Sequence, residues 1–375
     1  MIEFLQKLIQ IKSLSPKDMG CYDLVEEELE KLNFNCERIN YLNVENLYAT
    51  IGTSGKLFCF LGHTDVVPTG PEDDWKYPPF SATIDEDFLY GRGSADMKGS
   101  VAAFLESLKE FLSSSGKLNF KLAILLTSNE EGNSHDGFID KIVEKMIGDN
   151  EIIDFCLVGE PTSSEKVADC ARIGRRGSLG GHLKINGKQG HIAYPENVIN
   201  PIFLSSDLIT NLKMKKWDNG NAIFDPTSFQ ISNINSGTGA HNVVPGSLEM
   251  IFNFRFSTES SEESLKSEFK AIIDELNMEY DLKWMLNGDP YLTEKNFFKD
   301  IVAKSVKEIT NYSPEFNAKG GTSDGRFTAK MGTEIIELGP VNKSIHQIDE
   351  HIKISDLWTL KDIYKKILIN LNQNS

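Results

Sequence analysis

The sequence predicts an α/β protein with a mixed, largely parallel central sheet flanked by helices, and with a smaller α+β domain inserted into the chain. Short, almost wholly apolar runs alternate with helical patterns in the first half, which is typical of strands covered on both faces. Near residue 250 a strict alternation of apolar and other residues replaces these runs, and the first pattern returns after Pro290. A main domain interrupted by a second one explains this order.

The apolar runs of the first half predict the central strands. They cover residues 57–61, 122–126 and 155–158, and an acidic residue follows shortly after each of them. A helical stripe of apolar residues at 2–11 and another after Lys98 predict two of the flanking helices.

The middle of the chain has a different hydrophobic pattern. Between residues 248 and 256 every second residue is Leu, Met or Phe, which predicts a strand with one buried and one solvent-facing side. Together with neighbouring helix and strand patterns, this alternation predicts an inserted α+β domain at residues 177–288. The main domain would then comprise residues 1–176 and 289–375.

The composition limits the classes of function. A length of 375 residues suggests two domains. The formal net charge of -16 argues against nucleic acid and against a membrane surface as partners, because both select basic patches. The cysteines show no C-x-x-C spacing, and no run approaches about 18 apolar residues. We therefore expect a cytoplasmic protein.

Metal-ligating side chains follow the predicted strands or stand before a helix. In an α/β sheet the carboxyl ends of the strands face one crevice, so such side chains converge. Two imidazoles and three carboxylates suit a pair of zinc-like ions, which leaves two carboxylates without a ligand role. One of those could orient an imidazole, and the other could act as a general base. The candidates are His63, Asp65, Asp96, Glu130, Glu131, Glu160 and His346.

Each of these motifs has a simpler interpretation when it is taken alone. His63 could be a core histidine beside turn aspartates, Asp96 could be an N-cap, and the glutamates at 130–131 could lie in a solvated loop. His135 and His351 are interpreted in this way, as surface or capping residues. Four motifs stand in the order that a metal site at strand ends requires, so we favour the metal site.

Several motifs resemble those of the dinuclear-zinc M20 amidohydrolases, and the resemblance extends over nearly the whole chain. Four of them specify only the superfamily and lie at residues 62–68, 91–99, 130–131 and 156–161. Four further runs are more similar to the members that remove a succinyl group than to acetylornithine deacetylase. They lie at residues 174–178, 190–195, 320–327 and 337–346.

The resemblance implies a zinc-exopeptidase-like fold with two divalent metal ions per subunit. Zinc is expected first, with cobalt or manganese as alternatives in one site. His63, Asp96 and Glu160 would hold one ion, and Asp96, Glu131 and His346 the other, with Asp96 bridging. Glu130 would be the general base, and Asp65 would orient the imidazole of His63.

The resemblance also implies a homodimer in which the inserted domain is the dimerisation lid. His191 would reach the active site of the partner subunit and stabilise the oxyanion. The substrate would be a succinylated amino acid, hydrolysed at its amide, with its carboxylates bound by arginines and backbone amides. The matching substrate-binding positions are Arg175, Tyr194, Asn242, Arg255, Gly321, Thr322 and Asn342. One departure is His241, where the family usually has asparagine.

Two other functions remain open at this point. The chain could be a different member of the family, such as an acetylornithine deacetylase or an aminopeptidase. It could also be a non-catalytic zinc- or ligand-binding protein on the same fold. A free glutamate beside a complete set of metal ligands favours an enzyme, because a binding protein does not need a base there.

Overall fold

The computed structural model describes residues 1–114, 117–132 and 138–374, and the described chain forms two compact units. The first unit comprises Met1–Gly174, Thr293–Asn317 and Ser323–Ser375, and the second comprises Arg175–Leu292 and Ala318–Thr322. The sequence-based boundaries, after residues 176 and 288, lie close to this division. The grouping of Ala318–Thr322 with the second unit is not anticipated by them.

The secondary structure of the described residues is as follows. The helices are α1 (Ile2–Gln10), α2 (Cys21–Glu30), α3 (Gly99–Ser114), α4 (Phe138–Gly148), α5 (Pro201–Met214), α6 (Glu262–Asp274), α7 (Phe297–Thr310), α8 (Gly325–Ala329) and α9 (Ile354–Asn374). The strands are β1 (Asn35–Arg38), β2 (Asn46–Ile51), β3 (Leu57–His63), β4 (Thr83–Asp85), β5 (Phe88–Tyr90), β6 (Lys121–Thr127), β7 (Ile153–Val158), β8 (Cys170–Arg172), β9 (Gly174–Arg175), β10 (Gly177–Asn186), β11 (Gly190–His191), β12 (Ser228–Ser236), β13 (Val243–Val244), β14 (Ser247–Phe256), β15 (Glu279–Gly288), β16 (Tyr291–Leu292), β17 (Glu315–Asn317), β18 (Glu334–Glu337) and β19 (His351–Lys353).

The main sheet of the first unit has eight strands in the order β1-β2-β6-β3-β7-β18-β8-β17. Four of its seven neighbouring pairs are parallel, and the four central strands β6, β3, β7 and β18 all run the same way. Every residue of β3 is buried, as its continuous apolar sequence predicts. The sheet is therefore mixed and largely parallel, as predicted.

Aromatic packing fixes the central strand that leads to the candidate site. Phe60 stacks on Phe104 of α3 with the ring centroids 4.0 Å apart, and it meets Tyr364 of α9 at 6.0 Å. Phe58, on the same face of β3, meets Phe298 of α7 at 5.9 Å. Burial of each such side chain contributes about 1.5–3 kcal/mol, so this packing stabilises the position of β3 against the helices.

The second unit contains an antiparallel sheet in the order β12-β14-β10-β15, and helices α5 and α6 contribute to its core. The alternating apolar residues of β14 are buried, whereas Ile251 on the opposite face is 44% exposed. Phe252 stacks on Phe269 of α6 at 4.7 Å and meets Trp284 of β15 at 5.4 Å. The sequence alternation thus corresponds to one core-facing side, as predicted.

Some sequence-based predictions differ from the structure or lie outside its described part. The spacing of Val198, Ile202, Leu208 and Leu212 predicts a helix that includes Val198. In the structure this helix, α5, begins at Pro201, because the side chain of Asn200 accepts a hydrogen bond from the Ile202 amide at 3.0 Å and caps the helix there. His135 lies outside the described residues. Among the described residues, no helix has the length and apolar content needed to cross a membrane.

Candidate metal centre

His63 is the last residue of β3 and is almost completely buried. Its Nδ1 lies 3.0 Å from the carbonyl oxygen of Asp65. Because a carbonyl oxygen can only accept, Nδ1 must carry a proton in this contact. A proton on Nδ1 leaves Nε2 as the atom for a ligand, and Nε2 faces the carboxylates of Asp96 and Glu160 at 3.3 and 3.6 Å.

Asp96 lies between two imidazoles. It belongs to an irregular turn at Ser94–Lys98, directly before α3, and its backbone departs from helical geometry there. One carboxylate oxygen lies 3.3 Å from Nε2 of His63, and the other lies 3.1 Å from Nε2 of His346. The imidazole of His346 is also 2.8 Å from a carboxylate oxygen of Glu131.

The predicted ligands therefore form two groups that share Asp96. One group is His63, Asp96 and Glu160, the other is Asp96, Glu131 and His346, and within each group the donor atoms lie within 4.8 Å of one another. In a third set, which consists of His63, Glu130 and Glu131, the donor atoms also lie within 4.8 Å of one another. One nitrogen and two carboxylates in each group form a donor set that suits a divalent ion such as zinc.

Two buried atoms of this cluster test whether metal ions fit. Nε2 of His63 and Oδ1 of Asp96 are inaccessible to solvent, and neither has a well-formed hydrogen bond to another residue in the described part of the chain. A buried polar atom without a partner is uncommon and costs roughly 1–3 kcal/mol. An ion held by both atoms would satisfy them together, so the residues fit a metal centre.

The charges of the cluster favour bound cations. Hydrogen bonds to Asp96 and Glu131 raise the pKa of His346 to about 10. Burial alone would raise the pKa of Asp96, but the two imidazoles outweigh it and hold that pKa well below its usual value. Burial would likewise lower the pKa of His63, yet the surrounding carboxylates raise it. Without ions, protons on the two imidazoles therefore offset only part of the negative charge of Asp96, Glu131 and Glu160.

Asp65 has a different set of contacts from the one expected. Its backbone carbonyl, rather than its carboxylate, is the closest partner of the His63 ring, since the nearest carboxylate oxygen is 3.6 Å from Nδ1. The carboxylate instead accepts the backbone N–H groups of Glu130 and Glu131 at 3.1 and 3.0 Å, and the hydroxyl of Ser15. Asp65 thus positions both glutamates as well as the histidine.

Glu130 is placed to exchange protons. Burial of its carboxylate raises its pKa well above the usual value, and the nearby charges of Glu160 and Asp324 act in the same direction. A carboxylate with a raised pKa can hold a proton near neutral pH, as a general acid and base must. Asp324 was not anticipated, because nothing in its local sequence places it beside Glu130.

His346 has an unusual backbone conformation. Its φ angle is +60°, in the left-handed region, and its side chain is 48% exposed. A non-glycine residue in this region stores strain, and such residues concentrate at functional sites. The sequence predicts that His346 lies at the end of a strand, whereas it lies in an irregular segment well beyond the end of β18.

Comparison with known proteins identifies the family. The model of peptidase family M20/M25/M40 matches residues 59–370. The chain is 48% identical over 371 residues to the protein of Stutzerimonas stutzeri (strain A1501) named succinyl-diaminopimelate desuccinylase, covering 99% of this chain and 97% of that protein. A protein of the same name from Hydrogenovibrio crunogenus is 48% identical over 372 residues, with 99% and 98% covered. The chain belongs to peptidase family M20/M25/M40.

Solved structures agree with this assignment. The M20 family metallo-carboxypeptidase Sso-CP2 of Sulfolobus solfataricus superimposes with a TM-score of 0.84 at 19% identity, covering 100% of this chain and 99% of that one. A dinuclear metal-binding peptidase of the M20 family from Bacillus subtilis gives a TM-score of 0.74 at 14% identity, with 100% and 99% covered. The predicted family and α/β fold class are confirmed.

The second unit of this M20 chain brings three predicted residues together. His191 pairs with Val243 between β11 and β13, and the Ile192 amide donates to the carbonyl of Asn242 at 3.1 Å. The rings of His191 and Tyr194 are 5.7 Å apart. The Ala193 amide donates to Nδ1 of His191 at 3.1 Å, so Nε2 carries the proton and can donate it in a hydrogen bond.

The arginines predicted to bind carboxylates have distinct surroundings. Nη1 of Arg175 donates to the carbonyls of Lys319 and Gly321 at 3.1 and 3.3 Å, so it positions the loop that ends at Thr322. Arg255 of β14 is half-buried, and burial followed by the charge of Arg176 lowers its pKa. Two neighbouring cations are suited to an anionic group.

Asn342 belongs to the first unit. Its backbone amide donates to the carbonyl of Ser163 at 3.0 Å, which ties it to the segment after Glu160, and its side chain is partly exposed. His351, interpreted from sequence as a surface or capping residue, lies in β19 and packs against the rings of Phe88 and Tyr90.

Proposed function

We propose that this protein hydrolyses the succinyl amide of N-succinyl-L,L-2,6-diaminopimelate, giving succinate and L,L-2,6-diaminopimelate in lysine and diaminopimelate biosynthesis. The observation that carries the reaction class is the pair of ligand groups that share Asp96 beside Glu130. The similarity to relatives named succinyl-diaminopimelate desuccinylase supports the substrate.

Two divalent ions belong to this proposal. His63, Asp96 and Glu160 would hold one, and Asp96, Glu131 and His346 the other, with zinc expected first and cobalt or manganese as alternatives in one site. When bound, such ions polarise the amide carbonyl and lower the pKa of water to about 7.

Glu130 carries the proton transfers in this mechanism. Its carboxylate takes a proton from the attacking water while the water oxygen forms a bond to the amide carbon. The protonated carboxyl then delivers that proton to the amide nitrogen as the carbon–nitrogen bond breaks, and the amine leaves. The raised pKa of Glu130 supports the second step, because the protonated form persists until the nitrogen needs it.

The second unit would bind the substrate and complete the site. We propose a cytoplasmic homodimer in which Nε2–H of His191 donates to the oxyanion in the active site of the partner subunit, with Tyr194 and Asn242 beside it. Arg255 would pair with a substrate carboxylate. Local cations are needed for this task because the net charge of the protein is -16. Gly321, Thr322 and Asn342 would supply further polar contacts.

The proposal is tested by turnover of the purified protein. Succinyl-diaminopimelate, acetylornithine and a dipeptide are compared side by side, each with and without a chelator. Preferential release of succinate that the chelator abolishes is expected. Faster cleavage of acetylornithine or of the dipeptide would indicate another M20 activity, and metal binding without turnover of any substrate would indicate a binding protein.

A further inference from the structure

A carboxylate that no ligand set includes supports the turn that carries Asp96. Glu350 is completely buried. One of its oxygens accepts the backbone N–H groups of Ala95 and Asp96, both at 3.0 Å. The other accepts the backbone N–H of Gly93 at 3.0 Å and Nη1 of Arg92 at 2.7 Å. Three of the four donors therefore belong to the backbone of a single turn.

The partner of this carboxylate joins further segments of the chain. Arg92 is 2% exposed, and besides the ion pair it donates from Nη1 to the carbonyl of Gln347 at 3.2 Å. Its Nη2 donates to the carbonyl of Pro68, also at 3.2 Å. Gln347 directly follows His346, and Pro68 lies in the loop that continues from His63. The guanidinium thus contacts the segments that carry both histidines.

We propose that Arg92 and Glu350 are positioning residues of the metal centre, acting through Asp96, His63 and His346 without touching an ion. The inference rests on the proposed function, since it concerns the same centre. A buried ion pair is weak evidence for stability, because desolvation offsets its attraction. Here its hydrogen bonds join the three segments whose relative placement sets the distances between the ligands, and partners of ligands are known to tune metal affinity.

A single substitution separates this role from general stabilisation. Glu350→Gln has nearly the same shape, but its amide group can accept at only one of the two positions. Its NH2 group would face N–H donors instead of accepting from them. The Asp96 turn should then shift, and affinity for the ions should fall about 10- to 100-fold, as expected for loss of a partner that orients a ligand.

The chain offers a matched control in the same unit. Glu110 of α3 accepts from Lys361 and Lys365 of α9 at 2.8 and 2.7 Å, and Glu110→Gln removes an ion pair that holds no metal ligand. Cobalt is titrated into the metal-free full-length proteins in competition with a chromogenic chelator. The visible spectrum of bound cobalt reports the ligand geometry. Weaker cobalt binding and an altered spectrum are expected for Glu350→Gln but not for Glu110→Gln. Both Glu350→Gln and Glu110→Gln should lose thermal stability.

Arg92→Lys provides a second variant. Lysine keeps the positive charge but lacks the planar guanidinium whose two terminal nitrogens reach three acceptors. The substitution should therefore also weaken cobalt binding. A folded Glu350→Gln or Arg92→Lys protein with wild-type affinity and spectrum would overturn the inference. So would failure of both variants to fold while Glu110→Gln folds, because the pair would then serve the fold alone. None of these measurements uses a substrate. Turnover of a different substrate would therefore contradict the proposed function without contradicting this inference.

Discussion

Glu130 is the residue on which the proposed chemistry depends most directly. Its backbone is held by Asp65, and its carboxylate has a raised pKa and donor atoms of His63 and Glu131 nearby. Glu130→Gln should leave metal binding intact and lower kcat about 100-fold or more, the scale of a lost general base. Steady-state kinetics and metal analysis of the same preparation check both parts.

A suitable control for this substitution is Glu144→Gln, which removes a carboxylate from an exposed position on α4. That variant should keep the wild-type kcat. Near-normal turnover by the Glu130→Gln variant would exclude Glu130 as the general base. Loss of a metal ion from this variant would instead indicate that Glu130 is a metal ligand.

Arg255 tests the recognition of a substrate carboxylate. Arg255→Ala should raise KM for succinyl-diaminopimelate roughly 10-fold or more, because a charge-assisted hydrogen bond contributes about 1.5–3 kcal/mol. Lys283→Ala removes a positive charge from an exposed position in the same unit and should change KM little. Equal effects of the two variants would mean that only the overall charge matters, and an unchanged KM would remove Arg255 from the substrate site.

The sequence marks the candidate ligands better than it marks the residues that support them. Motif chemistry singles out each candidate that the structure brings together: His63, Asp96, Glu131, Glu160 and His346. Glu350 could not be found in this way, since its donors lie 254 to 258 positions away and no local pattern marks a buried carboxylate. The contacts of Asp65 were missed for a related reason: spacing shows that it is near His63, but not whether the carbonyl or the carboxylate makes the hydrogen bond.

At the scale of secondary structure, the alternation in β14 provides a test of packing. Phe252→Ala should destabilise the second unit by about 3–5 kcal/mol, because the ring is buried between Phe269 and Trp284. Ile251→Ala, on the opposite face of the same strand, should cost far less. Urea unfolding followed by tryptophan fluorescence compares the two variants, and similar midpoints would contradict the assignment of the faces.

The predictability of the elements follows from the same physics. The central strands and β14 could be located because each buries a regular pattern of side chains. The turn at Ser94–Lys98 could not be described in advance, since its backbone is shaped by hydrogen bonds to Glu350 rather than by local propensity. The start of α5 depended on one capping side chain, that of Asn200, which periodicity alone does not reveal.

At the scale of the whole molecule, the change in hydrophobic pattern predicts the interruption of one domain by another. The pattern places the boundaries near those of the two compact units. It does not predict that Ala318–Thr322 groups with the second unit, because that grouping includes hydrogen bonds from Arg175 to a loop more than a hundred residues away. Such long-range pairing has no periodic signature.

Metal binding by the whole protein should be coupled to proton release. The pKa of His346 in the ion-free protein is about 10, so its imidazole is protonated at neutral pH and must lose that proton to become a ligand. Since binding expels protons, affinity should rise with pH, about tenfold per unit for each proton released, between roughly pH 6 and 8. The dependence should level off only as pH approaches the pKa of His346.

Calorimetric titration at neutral pH in buffers of different ionisation enthalpy counts the protons released. The expected result is an apparent enthalpy that depends on the buffer and indicates release of one proton or more for each pair of ions bound. His182→Gln is the matched control, because this exposed imidazole lies beside Glu249 on the sheet of the second unit and should leave the count unchanged. A buffer-independent enthalpy would show that His346 is already neutral before the metal binds. The hydrogen bonds to Asp96 and Glu131 would then not hold a proton that the ions displace.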